Sequence, residues 1–367
     1  MAIRASSLII LLAMGLIWGL QVTMLKLSLS TGYSELQLIL ITLTLVATTK
    51  LDGHTAATDA MFDRVIGQTD DLGMRASALL AKAKFGPPMQ AWTLVEQAMQ
   101  LSPIDSLGFY DEITACTRIL DTAGDSGHYD IATQMAERAL ELSRRSGWVK
   151  VETQCAANLS WLYAARGRLD EAAALVADVV PVARRILGPT LSRPLVPWRA
   201  ASIARQQGLL DEARSYAEES LRAAEQAEIG VWGETMALWA IRESALISRD
   251  EGDLDQAQDI VGDALQRLED FDHVSLGPWI RAELLTTRAS VALRRSDPHG
   301  ALEDLRGVLA EPENLSHAVA LIAVDLTAIA LAQQGRAKHA ARLLGAADQE
   351  RERTGLVVRP PDKPLHD

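Results

Sequence analysis

The sequence predicts an all-α protein: an α-solenoid of about seven helix pairs preceded by an apolar helical hairpin. Three observations predict it. Apolar residues make up 48% of the 367 positions but only 5% are aromatic, so the apolar mass is Ala, Leu, Val and Ile. That composition suits helices and disfavours a β-sandwich or barrel. A phrase of the form G-x-x-x-x-A returns at a near-constant interval along most of the chain. Finally, residues 1–50 carry four charges (Arg4, Lys26, Glu35 and Lys50), whereas residues 51–367 hold 33 basic and 47 acidic side chains.

In chain order, the first element is the hairpin of residues 1–50. Leu8 to Leu25 is a run of eighteen residues without a charge, which as a helix at ~1.5 Å per residue covers ~27 Å, close to the hydrocarbon thickness of a bilayer. Leu36 to Ala47 is shorter and interrupted by Gln37, Thr42 and Thr44, a length that fits either a span or a buried helix. The expectation is a membrane anchor acting through residues 8–49. Arg4 and Lys50 flank one side and the Thr31–Ser34 turn has no Lys or Arg, which orients the repeat region toward the cytoplasm. The alternative is a soluble cytoplasmic chain with the hairpin capping the first repeat. Lys26 directly after the run, and no A-x-A site behind it, argue against a cleaved signal. Gly15–Gln21 (G-L-I-W-G-L-Q), Lys26, a short polar turn and a second apolar helix resemble the first two helices of drug/metabolite transporter superfamily proteins, over residues ~8–50 only. Two helices enclose no substrate path.

Residues 51–350 form the repeat region. The phrase falls at Gly86/Ala91, Gly127/Ala132, Gly167/Ala172, Gly208/Ala213, Gly252/Ala257 and Gly335/Ala340, with Ser296/Ala301 substituting Ser for Gly. The alanines stand 41, 40, 41, 44, 44 and 39 residues apart. Four positions on, every unit has Ala, Val or Leu, and seven positions on a small residue, so one helix face is apolar and closely packed. Twelve positions before the alanine stand Leu79, Leu120, Ser160, Ala201, Ala245, Ala289 and Ala328, mostly small enough for a first helix to approach closely. The glycine between the helices suits a left-handed C-cap. Residues 351–367, with Pro360, Pro361 and Pro364, read as a loose tail.

Small residues at the crossing, Gly at the turn and Ala on the second helix resemble the tetratricopeptide pattern, best in Leu159, Ser160, Tyr163, Gly167, Ala172 and Val179. Ala341–Gly355 (ARLLGAADQERERTG) followed by Arg359-Pro-Pro361 resembles the end of the repeat region in large ATP-binding LuxR-type transcriptional regulators, a likeness covering residues ~60–361. No G-x-x-x-x-G-K-[ST] phosphate loop occurs and no DNA-reading domain is expected within these residues, so the resemblance implies only the sensing or interaction half.

A net charge of −12 has the wrong sign for tracking a phosphate backbone, so no direct nucleic-acid binding is expected. H-E-x-x-H, C-x-x-C, G-x-G-x-x-G and G-x-S-x-G are missing, and no catalytic, cofactor or metal site is expected. The histidines are scattered without ligand spacing and read as surface residues, and Cys116 and Cys155 read as small packing residues. Phe109, Trp148, Trp232 and Trp279 each follow a Gly and mark the starts of first helices. Trp161, Trp198 and Trp239 align on the concave face of the first helices with Arg205, Arg242 and Glu283, residue types that anchor partner segments. The expectation is therefore a non-enzymatic scaffold that binds a protein or peptide in its concave groove. The competing expectations are a soluble regulatory subunit and a functionless fusion of transporter and regulator fragments. A groove with clustered charge and exposed Trp favours binding; one filled by its own side chains favours the relic.

Overall fold

Each repeat divides at its turn into two helices because the small residues of the period let the helices meet closely. The computed structural model describes residues 56–366, except 86–87, 105–106, 108, 187, 189, 228 and 271–275. Every described α-helix is accounted for by the repeat, a leading helix or the C-terminal segment, and a 3₁₀ turn, Pro312–Asn314, lies in the connection before the last pair. The leading helix is α1 (Ala56–Gln68). Seven pairs follow: α2 (Leu72–Phe85) with α3 (Pro88–Leu101), α4 (Phe109–Asp125) with α5 (Tyr129–Ser146), α6 (Val149–Ala165) with α7 (Leu169–Arg185), and α8 (Ser192–Gln206) with α9 (Leu210–Gln226). The last three are α10 (Val231–Glu251) with α11 (Leu254–Glu269), α12 (Leu276–Arg294) with α13 (Pro298–Leu309), and α14 (His317–Gln333) with α15 (Ala337–Thr354). A 3₁₀ turn, Pro360–Asp362, and the single turn α16 (Lys363–His366) end the described chain, and no strand is present among the described residues.

The repeat frame is the core. The seven alanines of the phrase are all at most 3% exposed, and the residues twelve before and seven after each are likewise buried. At the turns, Gly127, Gly167, Gly208, Gly252 and Gly335 adopt φ between +75° and +89°, and Ser296, where the seventh copy lacks its glycine, adopts φ +59°. First and second helices differ in how much of their surface is covered. α8 buries twelve of its fifteen residues and α9 five of its seventeen, so the first helices lie inside the curve and the second helices face solvent.

The solenoid curls until its second pair meets its seventh. The Tyr129 hydroxyl at the start of α5 lies 3.2 Å from Nδ1 of His317 at the start of α14. His317 Nε2 in turn meets Glu350 Oε1 on α15 at 2.6 Å. Gly127 is required here, since a Cβ on it would lie 2.7 Å from the His317 ring. His317 is thus a packing and hydrogen-bonding residue rather than a surface one, and His128 also departs from that reading by stacking on Trp92 at 3.9 Å. The sequence is silent on both, because the partners lie on other repeats.

The hairpin of residues 1–50 and its membrane contact through residues 8–49 lie outside the described residues. No described helix is long and apolar enough to cross a membrane. The segment 356–366, expected as part of a loose tail, is instead packed across the inside of the curl, and residues 351–354 complete α15. It is Gly355, a left-handed C-cap at φ +71°, rather than the prolines that stops the helix, and Leu356, Asp362 and Leu365 then pack or pair inside the curl.

Candidate functional site

All six residues expected at the groove stand on first helices: Trp161 on α6, Trp198 and Arg205 on α8, Trp239 and Arg242 on α10, and Glu283 on α12. The structure brings them together but does not expose them: the clustered charge meets the first half of the expectation for a binding groove, whereas the buried Trp rings and the groove filled by the chain's own side chains meet the expectation for a relic. Trp198 and Trp239 are 7% and 6% exposed and stack with ring centres 4.7 Å apart, and Trp279 meets Trp239 edge-on at 5.1 Å. The Arg199 guanidinium lies 4.1 Å from the Trp198 ring centre and 5.2 Å from that of Trp161. Burial pulls its pKa down to about 10 against the pull of the Glu283 carboxylate. Arg199 and Trp279 belong to the cluster although the groove reading omits them; the signal for Arg199 was its place beside Trp198.

A charged row runs along the C-terminal halves of the same helices. Arg205, 1% exposed, pairs with Glu243 at 2.6 Å and Asp250 at 2.8 Å. Arg249 joins Asp250 at 2.7 Å and donates to Ser290 Oγ at 3.0 Å. Arg242 Nε donates to Thr287 Oγ1 at 2.9 Å. Several buried polar atoms have no protein partner: Nε1 of Trp198, Trp239 and Trp279, Nε of Arg199 and Oε2 of Glu283. Such groups cost stability and collect where a polar ligand is met.

Residues 356–366 lie over this row. The Val357 N–H donates to the Ala165 carbonyl at 3.0 Å, Arg294 donates to the Pro361 carbonyl at 2.6 Å, and Asp362 pairs with Arg249 at 2.8 Å. Leu356 packs on the main apolar core and Leu365 on the core of α12–α15. Burial opposes ionisation of Asp362, yet the guanidinium groups of Arg249, Arg205 and Arg359 outweigh it and hold the carboxyl at about 2. The space left beside the segment is ≈ 80 Å³, far below the ~300 Å³ of a small-molecule pocket. Cys116 and Cys155 lie elsewhere, buried, with burial pushing their thiols up to about 11 and about 12.

The family model of the tetratricopeptide repeat matches residues 153–190, which cover most of α6 and all of α7. A Rap protein complexed with Competence and Sporulation Factor superposes at TM-score 0.66 over 90% of this chain and 91% of its own, with 12% identity. NprR in complex with its cognate peptide NprX gives 0.66 over 89% and 91%, with 13% identity. The apo form of the quorum sensor NprR from B. thuringiensis gives 0.57 over 89% and 91%, with 12% identity. The fold is a tetratricopeptide-like solenoid. Identities this low show the fold alone. No curated protein matches the chain. The tetratricopeptide part of the sequence resemblance is thereby supported; the LuxR-type and transporter parts find no support in these comparisons.

Proposed function

We propose that this chain is a non-enzymatic interaction protein whose concave groove takes an extended peptide segment of a partner, in the manner of a regulator's sensing half. One observation carries the reading: residues 356–366 already lie across the groove, bonded to helices from α6 to α12 through main-chain and charged groups. A surface that receives an extended segment in this way presents the hydrogen-bonding rows that peptide recognition needs. The Rap and NprR structures of the same fold were determined with Competence and Sporulation Factor and with a cognate peptide, which supports the same use of the fold here. The groove's carboxylates Glu243 and Asp250 are paired with arginines rather than set against a nucleophile, which favours binding over catalysis.

The test probes an array of extended peptides with the full chain and titrates each binder against Arg242→Ala and Glu283→Gln chains of unchanged circular dichroism. A loss of about tenfold or more in affinity is expected from at least one substitution. Binders indifferent to both would place recognition elsewhere and end this reading.

A further inference from the structure

α15 closes the row of repeats and no first helix follows it, because the chain turns inward after Gly355. It buries four of its eighteen residues, against eight of eighteen in α5. The position four after the key alanine is at most 6% exposed in the six earlier copies, whereas Leu344 in the seventh is only half-buried. The end of a solenoid carries either a solvated polar face or a partner, and the charges on α15 are not ordered for solvent alone. In α5 and α7 acids stand in the first turn (Asp130; Asp170 and Glu171) and arginines in the last, as the helix dipole favours. α15 has no acid in its first turn, and its last-turn arginines are paired within the molecule, Arg351 with Asp325 and Arg353 with Glu350. Its exposed face runs from Lys338 and Arg342 through Ala341 and Gly345 to Asp348 and Glu352, cationic toward the N-terminus and anionic toward the C-terminus. Like charges thus stand four apart at both ends, which a lone helix disfavours. Among the described residues Lys338, Arg342 and Glu352 form no ion pair, and the Asp348 side chain, which meets Arg351 at 2.8 Å, stays 69% exposed.

We propose that this face is the contact for a second copy of the chain: two α15 helices cross antiparallel at Gly345, about a two-fold axis, and each half of one face meets the opposite charge on the other. The charge pattern is antisymmetric about that glycine. Lys338 and Glu352 stand seven residues to either side of it, and Arg342 and Asp348 three. Antiparallel pairing therefore sets Lys338 against the second copy's Glu352 and Arg342 against its Asp348, and both contacts occur twice, as an isologous interface requires. At the crossing Gly345 leaves open space where a Cβ would stand and Ala341 is exposed, so the helices can approach closely. A net charge of −12 on each copy opposes association in general, so only a locally complementary face brings two copies together. One helix face per copy lies at the small end of specific interfaces, and a dissociation constant on the order of 10 μM is expected. The concave groove stays clear of this contact, because α15 turns its opposite face, with Ala340, Ala347 and Arg351, to α14.

The experiment is sedimentation of the full chain at rising concentration beside two charge-reversed chains, one with Lys338→Glu and Arg342→Glu, the other with Asp348→Lys and Glu352→Lys. The unaltered chain is expected to pass from monomer to dimer, and each reversed chain, its face now of one sign, to dissociate about tenfold more readily or beyond. Mixed in equal amounts, the two reversed chains restore a dimer with one copy of each, a result that no loss of folding imitates. Should Asp348→Lys lower the helical signal, Glu352→Lys alone takes its place. Gly345→Cys then fixes the register: it faces its own counterpart and forms an intermolecular disulfide under mild oxidation, whereas Gly262→Cys on the exposed face of α11 does not. A chain that stays monomeric to about 100 μM, reversed chains that dimerise as well as the unaltered one, or a mixture that remains monomeric overturns the proposal and leaves the peptide groove standing. Crosslinking through Gly262→Cys as fast as through Gly345→Cys overturns it as well, by assigning the contact to α11.

Discussion

Ser296 shows what the repeat demands of one residue. The turn between paired helices needs a left-handed backbone, and six of the seven copies meet it with glycine in the sequence. Ser296 enters the same region at φ +59°, the one non-glycine residue to do so among the described residues. A Cβ there costs ~1 kcal/mol or somewhat more. Ser296→Gly is accordingly expected to stabilise the chain by ~1 kcal/mol, read as a higher urea midpoint with unchanged slope; a lower midpoint would show that the Ser side chain makes a compensating bond. Asp362 gives a second residue-level prediction. Its carboxyl, ordinarily at 3.8, is held at about 2, so its ionised form stabilises the folded state fully above pH ~4, and that contribution is lost as pH falls through about 2. The protection of the Val357 amide, its exchange relative to that of an unfolded chain at the same pH, should fall over that window. Asp362→Asn should raise exchange at neutral pH and remove the acid step; a step that persists in the variant would assign it to another carboxylate.

At the scale of the element, the spacing of small residues decides whether two helices can cross. Ala257 on α11 is 0% exposed, as is Ala245 on the paired helix α10. Ala257→Leu inserts atoms at a filled crossing and should cost ~1–3 kcal/mol. The same change at exposed Ala341 on α15 should be near neutral, and equal costs at the two sites would contradict the crossing assignment. The paired helices were legible in the sequence for this reason: close packing constrains residue size at fixed intervals, and the interval is visible. The first-helix faces carrying Trp198, Trp239 and Arg205 were legible by the same alignment. Their burial was not, because what covers Trp198 and Trp239 is one another, Trp279 and Arg199 across neighbouring repeats, and what lies over Arg205 is the segment after α15. Three prolines announce the end of a helix and say nothing of where the chain goes next. The available sign was Leu356-Val357-Val358, three apolar residues followed by Arg359, an expensive group to place in a solvated tail.

For the whole molecule, closure changes how stability is shared. In an open solenoid each unit touches only its neighbours, so stability divides into unit and interface contributions and the ends fray independently. Here the turn before α5 packs on His317, His317 bridges Tyr129 and Glu350, and Val357 beyond α15 bonds to Ala165 at the end of α6. The second and third pairs are thereby joined to the seventh, at a separation of 188 residues between Tyr129 and His317. Fraying at α14 therefore removes contacts from α5 as well as from α12. His317→Ala deletes the bridge without touching the repeat frame, and should raise amide exchange at the start of α5 and at the start of α14 together. It should also enlarge the radius measured by small-angle scattering, since the curl loses the contact that draws its ends inward. A rise confined to α14, with α5 unchanged, would show that the two ends touch without sharing stability, and the molecule would then unfold as a simple row of repeats.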